Sequence, residues 1–162
     1  AIAAVLGSDA ARGDARVLDF GAGSGILAIA AALLGAAVVE AVEIDDRVHD
    51  AIRRNALHNG VADRVVVSRT LDGSAACRLV VANIVAPVLL DQAAALAARL
   101  CPGGTIVLSG LRDADRAAVV DRYRALGLAP TTATESEGWH CLAFSAPATA
   151  TSASATCAMA SR

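Results

Sequence analysis

The sequence predicts an α/β domain built on a mostly parallel sheet with helices on both faces. Three observations carry that prediction. Short apolar runs of strand character alternate with amphipathic or alanine-rich segments of helical length across most of the 162 residues. A glycine-spaced turn, Asp19-Phe20-Gly21-Ala22-Gly23-Ser24-Gly25, separates the first apolar run from the first helical one. An acidic residue, Glu43, ends the next apolar run about 20 positions further on.

The first strand is Ala15-Arg16-Val17-Leu18, and Ile26-Leu27-Ala28-Ile29-Ala30-Ala31 opens the first helix. Between them, three glycines at alternate positions remove every second side chain. The backbone can then turn tightly, and a ligand can approach the N–H groups at the helix start. Ile26 stands where a dinucleotide fingerprint would place its third glycine, which favours S-adenosyl-L-methionine over a nicotinamide dinucleotide. Ala36 to Glu43 is the second strand, and Glu43 is the natural acceptor for ribose hydroxyls. Glu40 and Asp45 are expected to be surface groups.

Asp45-Asp46 offers first-turn acids to a helix running to about Leu57, with Val48, Ile52 and Ala56 on one face and Asn59-Gly60 as its stop. Asp63 to Ser68 is a short third strand. Leu79-Val80-Val81-Ala82-Asn83-Ile84 is a continuous apolar run, hence a buried central strand. Pro87 then starts an alanine-rich helix to about Arg99. Pro102-Gly103-Gly104 turns the chain into a fifth strand, Thr105 to Ser109. A helix from Asp113 to Leu126 ends at Gly127, and two last strands lie near Leu128 to Glu135 and Trp139 to Phe144. Residues 1–144 therefore read as one domain, and residues 145–162, rich in Ala, Ser and Thr without periodicity, as a low-complexity disordered tail.

Composition excludes several classes of function. A net charge of −2, a pI near 5.9 and 2% aromatic residues leave neither a basic footprint nor a stacking surface, so direct nucleic-acid binding is not expected. A protein or small-molecule substrate fits better. Cys77, Cys101, Cys141 and Cys157 form no Cys-x-x-Cys pair, which argues against a disulfide framework and a metal site and for reduced thiols in an intracellular compartment. The stretch from Phe20 to Val39 lacks charge over bilayer length, but its glycines divide it into turn, helix and strand, so no membrane association is expected. The chain opens at Ala1 without a leader pattern and reads as a piece of a longer sequence.

With these elements in place, the sequence resembles the class I S-adenosylmethionine-dependent methyltransferases, and within them the ribosomal protein L11 methyltransferase (PrmA) family. Val17 to Ala31 is similar to that family's glycine motif, continued through Asn55-Ala56-Leu57-His58-Asn59-Gly60-Val61. Val80-Val81-Ala82-Asn83-Ile84-Val85-Ala86 resembles its active-site strand. Pro102-Gly103-Gly104, Leu108-Ser109-Gly110-Leu111 and Glu137-Gly138-Trp139 match its ending. The resemblance implies a Rossmann-like fold with a seven-stranded sheet, its last strand antiparallel, and methyl transfer to lysine ε-amines or an α-amine of a large-subunit ribosomal protein in the cytoplasm or an organelle matrix or stroma. Alternatives are a lysine methyltransferase for another protein, such as the electron-transfer flavoprotein β-subunit, and a non-catalytic binding module. Two departures stand out: Arg78 replaces the family's usual Asp, and the family's upstream Phe-Gly-x-Gly-x-His-x-Thr-Thr segment and recognition domain are not in this sequence.

The expected cofactor residues are Asp19, Gly21, Gly23, Gly25, Glu43, Asp72 and Asn83. Asp19 anchors the glycine turn or the donor's ammonium group, and Asp72, in the loop after the third strand, accepts from the adenine amine. Asn83 is also the expected catalytic residue, similar to the first position of the Asn-Pro-Pro-Tyr motif of amino-methyltransferases. An amide oxygen can aim an amine's lone pair, whereas a carboxylate would favour the protonated, unreactive form. Ser109 and Gly110 are placed at the substrate mouth. His49, His58 and His140 are expected to be surface or packing residues.

Overall fold

The computed structural model describes residues 14–73 and 75–149. Within them, seven strands form one sheet in the order β3-β2-β1-β4-β5-β7-β6. The strands are β1 (Arg16–Phe20), β2 (Val38–Val42), β3 (Val65–Ser68), β4 (Cys77–Asn83), β5 (Leu100–Leu111), β6 (Ala129–Ser136) and β7 (Trp139–Ser145). Pairing from β3 to β5 is parallel, and β7 runs antiparallel to both β5 and β6. Five helices connect them: α1 (Ile26–Leu33), α2 (Asp46–His58), α3 (Ala86–Asp91), α4 (Ala93–Ala98) and α5 (Asp113–Ala125). The predicted fold class holds.

Period-two alternation divides the core into two layers. Val17, Leu79, Val81 and Val107 pack with Ile29 of α1 and Ile52 of α2 on one face. Leu18, Val80, Ile106 and Leu108 pack with Leu89, Leu96 and Tyr123 on the other. Both faces of β4 are thus covered, which is why its sequence reads as an unbroken apolar run.

The structure corrects several expectations. The buried face of α2 is His49, Ile52 and Ala56, with His49 in the place assigned to Val48. Glu40 is not a surface group. Its carboxylate lies 2.5 Å from the Arg99 guanidinium, with 14% and 6% of the two side chains exposed, so each charge supplies the partner that burial demands. Asp45 is a surface group as expected, and from there it caps α2 by accepting from the Arg47 N–H. The alanine-rich helix is broken at Gln92 into α3 and α4, while Leu89 and Leu96 stay on the sheet side.

The fifth strand is longer than expected because it absorbs Pro102-Gly103-Gly104 through a register irregularity opposite Cys77 and Leu79. Arg78 closes that irregularity by donating to the Gly103 carbonyl at 2.7 Å, which accounts for an arginine there. The ordered chain also passes the expected boundary at Phe144. Ser145 ends β7, the Ala146 N–H donates to Gly104 O at 2.8 Å, and Pro147 O accepts from Gly103 at 2.9 Å. The rest of the predicted tail, residues 150–162, and Cys157 with it, lies outside the described residues.

Candidate functional site

Sheet register gathers the expected residues into a row. Phe20 is paired with Val42 on one side and Ala82 on the other, so Gly21, Glu43 and Asn83 follow at the same level along the carboxyl edge. Asn83 is in turn paired with Ser109 of β5. The row crosses the β1/β4 boundary, where the strand order reverses and where open parallel sheets leave a crevice for ligands.

The glycine turn is held from below by β2. Gly21 and Ala22 both donate to Val42 O, at 2.9 and 3.0 Å, and Gly25 donates to Ala22 O at 2.8 Å. Gly25, at φ 82°, precedes α1 as its cap and has no side chain to satisfy the helix's first N–H groups. Asp19 supplies that cap from β1, its Oδ2 accepting from the Ala28 N–H at 2.9 Å. Only 1% of Asp19 is exposed. Burial pushes its carboxyl up to about 7, the Ala28 N–H opposes this, and the nearby Glu43 charge adds to it. Its second oxygen, Oδ1, is buried and has no hydrogen-bond partner among the described residues.

Glu43 is the most firmly held of the predicted residues. Its Oε2 accepts from the Gly23 N–H at 2.9 Å and its Oε1 from the Asp45 N–H at 3.0 Å. One carboxylate therefore fastens the glycine turn to the start of α2, and each oxygen keeps a lone pair. Its own carbonyl accepts from His49 Nε2 at 2.7 Å.

Two clefts open along this row, and Ile84 lines both. The first, about 540 Å³, is bounded by Gly21, Glu43, Leu71, Asp72 and Val88. The second, about 570 Å³, is bounded by Asn83, Ser109, Gly110, Thr134, Trp139 and His140. Gly21 belongs where it is because its φ of 75° strains any L side chain, and a Cβ there would also meet Ile84 Cδ1 at 3.0 Å. A Cβ on Gly110, at φ 81°, would lie 2.9 Å from Asn83 Oδ1, so the amide of Asn83 rests against that glycine.

The predicted residues divide accordingly. Gly21, Glu43 and Asp72 line the first cleft, with Asp72 at the exposed loop after β3 accepting from the Thr70 hydroxyl. Asn83 faces the second, together with Ser109 and Gly110. Asp19, Gly23 and Gly25 stand behind the row as its support rather than as lining. Sequence reasoning read His49 and His140 as surface or packing residues, and both are buried, but it gave no contacts to them or to Trp139. His140 is buried with its Nε2 2.5 Å from Asp113 Oδ1, and Trp139 carries the Arg112 guanidinium 3.6 Å from its ring centroid. Neither pairing leaves a local signal, because β7 meets the start of α5 only after the chain has folded. Among the described residues, no group of three or more His, Cys, Asp or Glu side chains could hold a metal, and no helix is long and apolar enough to cross a membrane.

A parallel sheet with one reversed strand, a glycine turn after β1, an acid after β2 and an asparagine after β4 together define the class I methyltransferase architecture. Residues 5–147 match the family model described as ribosomal protein L11 methyltransferase (PrmA), and the chain belongs to that family. It is 45% identical over 126 residues to the ribosomal protein L11 methyltransferase of Symbiobacterium thermophilum, covering 76% of this chain and 41% of the relative. The corresponding protein of Methylococcus capsulatus is 46% identical over 128 residues, covering 77% of this chain and 43% of the relative. The crystal structure of a ribosomal protein L11 methylase from Lactobacillus delbrueckii subsp. bulgaricus superimposes with a TM-score of 0.80 at 31% identity, over 90% of this chain and 77% of that one. The chain spans less than half the length of these two curated relatives.

Proposed function

We propose that this chain is the donor-binding and transfer half of a protein methyltransferase that moves methyl groups from S-adenosyl-L-methionine to amino groups, a lysine ε-amine or an α-amine, of a ribosomal protein in the cytoplasm. The observation that carries this reading is the row Glu43, Gly21, Asn83, with one cleft on each side of Ile84. The names of the relatives, ribosomal protein L11 methyltransferases, support the substrate class.

The residues present fit the donor. The two oxygens of Glu43 are fixed by backbone N–H groups and each keeps a lone pair for a sugar hydroxyl. Leu71, Ile84 and Val88 give apolar walls to a planar base, and Asp72 offers an acceptor to its amino group. Asp19 holds the turn from beneath, its Oδ2 accepting from the Ala28 N–H, so the main-chain edge that meets the donor is set in advance. When bound, the donor supplies a methyl group on a sulfonium that needs no further activation.

The protein's task is then placement. Asn83 Oδ1 accepts from the acceptor amine and turns its lone pair toward the first cleft. Placement of this kind accounts for about 7–11 kcal/mol of barrier in the best intramolecular cases. The amine must first lose a proton from a reference pKa of about 10.4, and the apolar walls formed by Ile84, Val85 and Trp139 disfavour its charged form.

Thermal unfolding tests the reading directly. S-adenosylhomocysteine at 100 times its dissociation constant should stabilise the protein by about 2.7 kcal/mol, and NADH should not. Asn83→Ala should keep that shift while lowering methyl transfer to a lysine peptide at least about a hundredfold. Loss of both would make Asn83 structural, and a shift without transfer in the parent chain would favour a binding module.

A further inference from the structure

His49 is buried at a position where the stripe formed with Ile52 and Ala56 calls for an apolar residue. The helix does not need it as a cap, since Asp45 already accepts from Arg47 N–H at the start of α2. A buried imidazole requires a partner. Its partner is the main chain of Glu43: a carbonyl oxygen can only accept, so Nε2 carries the hydrogen and donates at 2.7 Å. On the other side of the ring, Nδ1 lies 3.7 Å from Asp46 Oδ1, and Asp46 Oδ2 pairs with the Arg69 guanidinium. Arg69 opens the loop after β3 and lines the same cleft as Glu43 and Asp72. The His49–Glu43 hydrogen bond thus joins α2 to one wall of the donor cleft, and the separate Asp46–Arg69 ion pair joins α2 to the other.

We propose that His49 is a positioning residue for the ribose subsite: its ring N–H fixes the Glu43 carbonyl, and with it the strand end from which the Glu43 carboxylate reaches the Gly23 and Asp45 N–H groups and the sugar. The inference rests on the donor reading above and names a determinant of sugar recognition within it. A residue that merely fills the core under α2 would affect every ligand of the cleft alike. A residue that aims Glu43 affects ligands through their ribose hydroxyls.

Titration calorimetry with S-adenosylhomocysteine and its 2′,3′-dideoxyribose analogue separates these roles. The unsubstituted chain should bind the first more tightly than the second. His49→Phe, which keeps the ring's bulk without an N–H, should weaken S-adenosylhomocysteine about tenfold, as loss of a buried hydrogen bond does, and leave the analogue unchanged. His49→Gln, which restores an amide donor, should recover most of the loss. Equal weakening of both ligands, or no weakening of either, overturns the proposal. Should His49→Phe fail to fold, His49→Met, which fills the same buried stripe without a donor, carries the same comparison, with the loss again confined to the ribose ligand. If the unsubstituted chain binds no S-adenosylhomocysteine, the donor reading itself falls and the inference falls with it.

Discussion

The clefts on either side of Ile84 are similar in volume and opposite in construction. The Gly21–Glu43 cleft, the proposed donor side, is built where parallel strands end: Phe20 and Gly21 at the end of β1, residues 42–44 at the end of β2 and residues 69–72 after β3, closed by Ile84, Val88, Gln92 and Ala95 from the segment after β4. Its carboxylate Glu43 is anchored before any ligand arrives by two backbone donors, and Asp19 holds the turn from behind. The Asn83 cleft, the proposed acceptor side, is assembled from residues 83–85, 109–110 and 134–141, and one of its walls, β6, is exposed along its whole length. A small, constant ligand can be met by a fixed cradle, whereas a protein acceptor brings its own shape and needs an accessible edge.

Breaking the cradle should have the largest effect. Gly25→Ala puts a Cβ 2.8 Å from Ile52 Cγ2 at φ 82° and should lower unfolding stability in urea by about 3 kcal/mol. Gly23, at φ 55° with nothing within 4 Å of its would-be Cβ, gives the matched control. Gly23→Ala should cost about 1 kcal/mol, the backbone strain alone. Equal losses at both glycines would show that packing against α2 is not what fixes the turn.

Next in size, Glu43→Ala should weaken S-adenosylhomocysteine by about 2–3 kcal/mol in calorimetry, close to a hundredfold, because the ribose loses its acceptor and the Gly23 and Asp45 N–H groups lose theirs. An unchanged affinity would move the sugar elsewhere in the cleft.

Asp19 makes a pH-dependent version of the comparison. Its folded-state pKa of about 7 lies above the ordinary 3.8, so the fold favours the protonated form. Its contribution is fully present below about pH 4 and is lost as pH rises through 7. Asp19→Asn should remove that dependence, raising stability by about 2 kcal/mol at pH 8 relative to the parent and by much less at pH 5. Urea midpoints for both proteins at the two pH values check it, and a parallel response would place the titration elsewhere.

The smallest effect belongs to the open side. Trp139→Ala should leave S-adenosylhomocysteine binding within about twofold and raise KM for a lysine peptide about fivefold, near 1 kcal/mol of lost contact. A loss of donor affinity instead would mean that the two clefts are not separate.

Much of this was legible in the residues. Glycine spacing, an acid one strand later and an unbroken apolar run ending in Asn83 mark chain positions whose backbone demands are local, and register carries them to one edge without further information. The readings that failed share a different physics. Glu40 looked solvated because its partner, Arg99, is 59 residues away, and α2 looked as if it buried Val48 because a buried histidine is acceptable only once the Glu43 carbonyl is there to receive its N–H.

By itself, then, the sequence determined the strand order's raw material and the glycine turn, because glycine conformation, hydrophobic period and helix capping act over a few residues. Tertiary structure alone decided which charges may be buried, how Asp19 titrates and which residues share the second cleft. Those depend on partners and on exclusion of water, neither of which exists until the two core layers close on the sheet.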